Sequence, residues 1–424
     1  MKFVLASYGT RGDVEPTVAM GRELQRRGHD VRMAVPCNLT GFAEAAGLPA
    51  DAYGPDMHDF LSDDFLRDFW TNFRRSFWTI KEPIRLLREL WQPCLTHWAD
   101  MSRTLASLTA GADVLFSGLV YQELAASIAE AYDIPFATLH YFPIRPNGQL
   151  YPIVPAPLVR TGLTVYDWLC WRMSKNAEDA QRRELGLPKA TSPSPRRIER
   201  TALEIQAYDE ACFPGLADEW QKWGDRRPFV GALTMGLTTD ADEEVASWIA
   251  AGTPPICFGF GSMPVAASPA DTLKMIGAAC AELGERALVC AGWADFSDVP
   301  DFEHVKVVSA VNYAATFPAC RAVVHHGGSG TTAASMRAGV PTLILSMDVN
   351  QTLWGARVKR LGVGTTRRFS KTTRQSLVKD LRRILEPEYA ARARELATRM
   401  TAPAESVQKA ADLVESFARS RQPA

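Results

Sequence analysis

The residues best suited to chemistry lie in VVHHGGSGTTAASMRAGVP, Val323 to Pro341. An apolar run ends in Gly327-Gly328-Ser329-Gly330-Thr331 and passes directly into a helix-forming stretch. Several backbone N–H groups can then face an anion with no side chain in the way, and the helix dipole adds positive potential. That arrangement is a cradle for a diphosphate, and His325, at the end of the run, can donate to a phosphate oxygen. The spacing is not G-x-G-x-x-G and carries no P-loop lysine, so it supports neither a dehydrogenase nor a kinase. A tight turn alone would not need three glycines, a histidine and two threonines.

Two further stretches end apolar runs in the same half of the chain. In FGFGSMP, Gly259, Gly261 and Ser262 can close over the same phosphates, although a glycine-rich strand end is common by itself. In DVNQTLWG, Asp348, Asn350 and Gln351 place a carboxylate and two amides at a strand's C-terminal end, where α/β sheets bind ligands. Such groups suit sugar hydroxyls. Near the N-terminus, SYGTRGDVEPTV joins the first apolar run to a helix expected to begin near Pro16, and Arg-Gly-Asp reads as a turn. Gly9 and Gly12 there leave room for a ligand. Asp13 can present a carboxylate at the strand end or cap the helix, and the two roles are compatible.

HHGGSGTTAASMRAGVP followed by DVNQTLWGARV resembles the nucleotide-diphosphate-sugar signature of family 1 glycosyltransferases. SYGTRGDVEP resembles the N-terminal loop of the bacterial antibiotic, glycolipid and sterol members, the vancomycin-glycosyltransferase type. The resemblance implies a GT-B fold, two Rossmann-like doubly wound domains facing across a cleft, with acceptor held by the first and donor by the second. It implies inverting, metal-independent transfer from a UDP- or dTDP-sugar to a hydroxyl of an apolar acceptor: a natural product, glycopeptide, glycolipid or sterol-like molecule. His325 then contacts the donor diphosphate with Ser262, Gly327, Gly328, Ser329, Gly330 and Thr331 around it, and Trp293 and Val311 are expected on the nucleobase side. Asp13 becomes the general base, since relatives of this type use the Asp of their Gly-x-Arg-Gly-Asp loop. The family pattern has an acidic residue where this chain has Asn350 before Gln351, which puts glucose in doubt and makes a deoxysugar plausible; Asp348 stands two residues earlier. A sugar-nucleotide epimerase and a non-catalytic auxiliary relative are the rival readings.

The elements that must position these residues follow from pattern. KFVLAS, a helical stretch from Pro16 to Gly28 and DVRMAVP make a strand, a helix and a strand within 36 residues, which demands a crossover and a parallel sheet. ADVLFSG and IPFATLHYF continue it. After a Pro- and Gly-punctuated connection the alternation restarts with PPICFGFGS, RALVCAG, VKVVSAV, RAVVHHGG and PTLILSM. The expected division is an acceptor domain over 1–215, a linker over 216–230 and a donor domain over 231–402, with a polar helix over about 403–424 packing back on the first. Between Asp56 and Met101, aromatics recur every three to four residues. They are either core or an apolar groove for the acceptor, with Trp70, Phe73, Phe77, Tyr141 and Phe142 as lining candidates and Trp168 and Trp171 further on.

Composition removes other classes. Lys plus Arg number 47 against 48 acidic residues, so no bulk charge favours nucleic acid. No apolar run approaches the roughly 20 residues of a membrane span and the N-terminus lacks a signal-peptide pattern, so the expectation is a cytoplasmic protein, peripheral membrane contact being compatible with it. The eight cysteines are scattered with no ligand spacing, and no metal or other cofactor is expected beyond the nucleotide-sugar co-substrate. Asp240 to Asp242, although an Asp-x-Asp, reads as the start of a helix.

Overall fold

The computed structural model describes residues 1–56, 95–151, 154–259, 261, 269–292 and 302–421. The chain forms two compact units: Met1–Ala207 with Pro214–Leu233 and Ala404–Ala424, and Tyr208–Phe213 with Thr234–Pro403.

Unit 1 is built on six parallel strands, β1 (Lys2–Ala6), β2 (Asp30–Val35), β3 (Ala50–Ala52), β4 (Val114–Ser117), β5 (Phe136–His140) and β6 (Leu203–Gln206), in the order β3-β2-β1-β4-β5-β6. Phe3, Val4 and Leu5 are all fully buried, as expected of a central strand covered on both faces. Helices α1 (Arg11–Arg26), α2 (Gln122–Tyr132) and α3 (Ala156–Glu184) belong to its layers. One hydrophobic cluster joins Val4, Ala6 and Leu115 of the sheet to Leu124 and Ile128 of α2.

Unit 2 repeats the plan with β7 (Ile256–Gly259), β8 (Ala287–Cys290), β9 (Val305–Val308), β10 (Ala322–His325), β11 (Thr342–Ser346) and β12 (Gly364–Arg368), ordered β12-β11-β10-β7-β8-β9 and all parallel. Counted from its own first strand, this is the same 3-2-1-4-5-6 order as unit 1. Each sheet therefore reverses direction of growth beside its first strand, at β1/β4 and β7/β10, where ligands bind in such folds. Helices α4 (Ser329–Arg337) and α5 (Val349–Leu361) follow β10 and β11. The last helix, α6 (Pro403–Arg421), is covered by unit 1: Ala410, Ala411, Val414 and Ala418 are fully buried, and Arg27 Nη1 meets Asp412 Oδ1 at 2.6 Å.

One local expectation is corrected. Helix α1 begins at Arg11, not near Pro16, so Arg-Gly-Asp is its first turn rather than a loop. Thr10 and Asp13 form a capping box that starts the helix early. Pro16 sits inside, its missing N–H costing one bond in the second turn.

Candidate functional site

In unit 1 the site is the β1-to-α1 connection. Asp13 occupies the third helical position, and its Oδ2 accepts from the Thr10 backbone N–H at 2.7 Å and from the Thr10 hydroxyl at 3.0 Å. Gly9 has φ of +139°, and a Cβ there would lie 2.3 Å from Asp13 Oδ2. Glycine is thus required for the carboxylate to fold back over the loop. The Asp13 carbonyl is held from below by two hydroxyls, Ser7 Oγ and Tyr141 OH, each donating at 2.9 Å. Gly118 admits both, because a Cβ on it would meet Ser7 Oγ at 2.9 Å and Tyr141 OH at 3.1 Å. Burial, with the Asp13 charge adding, pushes the Tyr141 phenol well above its ordinary range, so it remains a donor.

Tyr141 is buried and spends its hydroxyl on the Asp13 backbone, which makes it a positioning residue; Phe142 beside it is half-buried. Gly12 is exposed, and among the described residues only Thr10 Oγ1 would come within 4 Å of a Cβ there. Trp171 and Trp98 belong to the core: their indoles donate to Glu178 and Gln181, each at 3.0 Å. Trp70, Phe73, Phe77, Ser262 and Trp293 lie outside the described residues.

In unit 2 the cradle stands where β10 becomes α4. His325, the last residue of the strand, is fully buried, and its Nδ1 accepts the Gly327 N–H at 3.0 Å. Burial, reinforced by His326, drives its pKa well below the ordinary imidazole value, so the ring is neutral. With Nδ1 accepting, the proton resides on Nε2, and that atom is buried with no hydrogen-bond partner among the described residues. A buried donor left unpaired costs free energy unless something outside the protein accepts from it. The first intrahelical bond of α4 runs from Thr332 N to Gly328 O, so the N–H groups of Ser329, Gly330 and Thr331 have no partner within the helix.

The glycines divide by cause. Gly327 has φ of +103°, and a Cβ would meet Ile344 at 2.8 Å and Gln351 at 3.0 Å. Gly261 and Gly328 make way for the His326 ring, which would touch their Cβ atoms at 2.9 and 2.6 Å. Of these glycines only Gly330 has open space around it among the described residues, the nearest of their atoms being Thr234 Cγ2 at 3.9 Å. A glycine with no neighbour to avoid fits a backbone kept bare for a ligand.

Asp348 and Gln351 form the capping box of α5: Asp348 Oδ1 accepts the Gln351 N–H at 2.8 Å, and Gln351 Oε1 accepts the Met347 N–H at 2.7 Å. The Gln351 carbonyl oxygen is therefore committed to the backbone, and Asn350 is the exposed member of the trio. Burial raises the Asp348 carboxyl against the pull of the Gln351 and Asn350 N–H groups. Val311 is buried in the core with Phe317 and Cys320. Asp242, the first residue of its helix, accepts from Thr239 N at 2.7 Å and Asn312 N at 2.8 Å, so its carboxylate is held by backbone N–H groups outside that helix.

Sequence reasoning missed Ser7 and Thr10, and it named Tyr141 only as a lining candidate, not as a donor to the Asp13 carbonyl. Thr10-x-x-Asp13 is a capping-box spacing and could have been found; the role of Tyr141 could not, since its partner is a carbonyl 128 residues away.

Residues 3–96 match the Glycosyltransferase family 28 N-terminal domain, and residues 286–415 match the Erythromycin biosynthesis protein CIII-like, C-terminal domain. The chain is 59% identical over 423 residues to an uncharacterized glycosyltransferase of Mycobacterium tuberculosis, covering 99% of both chains. It is 27% identical over 413 residues to a sterol 3-beta-glucosyltransferase of Arabidopsis thaliana, covering 94% of this chain and 65% of that one. Among solved structures, the calicheamicin glycosyltransferase CalG4 superposes with a TM-score of 0.70 at 16% identity, covering 100% and 99% of the two chains. The glycosyltransferase VinC, in complex with dTDP, does so at 0.65 and 17% identity, covering 98% and 100%. With two Rossmann-type sheets and relatives of this closeness along its whole length, the chain belongs to the GT-B glycosyltransferases of family 1.

Proposed function

We propose that the protein transfers a sugar, with inversion and without a metal, from a UDP- or dTDP-sugar to a hydroxyl of an apolar acceptor. The acceptor oxygen attacks the anomeric carbon in one displacement, its proton passes to the Asp13 carboxylate, and the bond to the diphosphate breaks with the electron pair leaving on the nucleotide. Negative charge grows on the diphosphate, and preorganised donors stabilise it best because they need not reorient. The observation that carries the reading is the neutral His325 ring, its Nε2–H buried and without a partner among the described residues, beside the N-terminus of α4. The dTDP held by VinC supports the nucleotide class, and the sterol acceptor named for the Arabidopsis relative supports an apolar acceptor.

His325→Ala should lower kcat by about 10²–10³ and weaken nucleoside-diphosphate binding together. Calorimetry with UDP and dTDP checks the second effect, and unchanged affinity would overturn the cradle. Turnover should also survive excess EDTA.

A further inference from the structure

Unit 1 carries a recess to which the proposed transfer assigns no residue. Residues from α3, from the segment before β6 and from the segment after it enclose a pocket of about 260 Å³, room for one sugar ring rather than a drug-sized ligand. Of the residues named above, only Trp168, a candidate for the acceptor groove, lines it. Its walls combine three chemistries. Trp168 lines it while remaining 48% exposed, leaving apolar indole surface uncovered. Trp223 lines it too, with the Lys222 ammonium and the Arg227 guanidinium each 3.9 Å from its ring centre.

The charges are unevenly satisfied. Glu199, in the lining, is paired with Arg227 at 2.6 Å. Arg196 and Lys222 are exposed and form no salt bridge with any described residue, and Asp167 makes neither a salt bridge nor a hydrogen bond with one. Burial pushes the Asp167 carboxyl up to about 7, with Arg145 pulling against it. At neutral pH that group can both donate to and accept from a hydroxyl. An indole face accepts the C–H face of a pyranose, a carboxyl group bonds its hydroxyls, and two cations with no carboxylate partner among the described residues can take an anion.

We propose that this pocket binds an anionic sugar, a pyranose ring bearing a carboxylate or phosphate, with the ring on Trp168, its hydroxyls on Asp167 and its charge on Arg196 and Lys222. All its lining residues belong to unit 1, and the proposal does not rest on the assignment of Asp13 or His325. Because Trp168, Arg196 and Lys222 are exposed, the fold does not depend on them.

Saturation-transfer NMR on the full chain, using methyl glucuronide, glucose 6-phosphate and neutral methyl glucoside as probes, tests it. At least one anionic probe should bind with Kd on the order of 1 mM and the neutral glucoside about tenfold more weakly; the tighter anion identifies the charged group. Trp168→Ala, and separately the Arg196→Ala/Lys222→Ala pair, should each abolish the signal at unchanged Tm. Equal binding of the neutral probe, absence of binding by both anions, or full binding by both variants would overturn the proposal.

Discussion

Asp13 holds Thr10 at the start of α1 and is also the carboxylate proposed to take the acceptor's proton, so substitutions can be chosen to part the two roles. Asn keeps an oxygen for the Thr10 N–H but cannot act as a base; Ala loses both functions. Asp13→Asn should therefore melt close to the parent yet lose about 10²–10⁴ in kcat, while Asp13→Ala should lose similar activity and about 1 kcal/mol of stability. Thermal melts beside steady-state kinetics separate them, and an Asn variant with near-parental kcat would remove Asp13 as base. Beneath it, Ser7 and Tyr141 fix the backbone, so the carboxylate is aimed by the end of the sheet as well as by its own turn.

At the scale of elements, β5 and β6 share a buried polar network. Glu204 of β6 accepts from Arg145 and, at 2.7 Å, from Arg227; His140 of β5 lies beside them. Burial pulls His140 down to about 3, against the opposing charge of Glu204. Its folded pKa is below the unfolded value near 6.5, so the stability of the neutral ring is full above 6.5 and is lost as pH falls toward 3. For Glu204, burial acts upward but Arg145, His140 and Arg227 prevail and hold it at about 2; its contribution is full above 4.5 and is lost as pH falls toward 2. Melting temperature should thus fall as pH drops below 6.5 and fall more steeply below 4.5, and His140→Gln should flatten the first part. A parent Tm that rises on acidification would contradict both assignments.

The same network explains what the sequence concealed. Strands such as KFVLAS and PTLILSM were legible because central parallel strands are apolar on both faces. β6 reads LEIQ, its Glu204 and Gln206 being buried by partners far along the chain, and β12 reads GTTRR, half-exposed at a sheet edge; neither was anticipated. The glycine cradle was legible because the steric demand on a glycine is local. The tautomer of His325 was not, since it depends on one folded N–H.

On the scale of the whole molecule, unit 1 is assembled from three stretches of chain and unit 2 from two. Helix α6 returns to unit 1, where His29 Nε2 meets Glu415 Oε1 at 2.8 Å in addition to the Arg27 pair. Partly exposed pairs of this kind contribute little, about 0–1 kcal/mol each, whereas the buried Val414 alone represents about 1.5–3 kcal/mol. Deleting residues 404–424 should lower the unfolding midpoint of unit 1 by on the order of 10 °C, while Asp412→Ala should barely move it. Calorimetry that resolves two transitions checks this, and an unmoved unit 1 transition in the truncated chain would refute it.

That return of the last helix sets a rule for recombining genes of this family. A hybrid enzyme made by joining two parents at one junction in the middle of the chain would have its first unit completed by a helix from the other parent. A second junction near residue 403, restoring the native helix, is what would let the two units be exchanged without also scrambling a core.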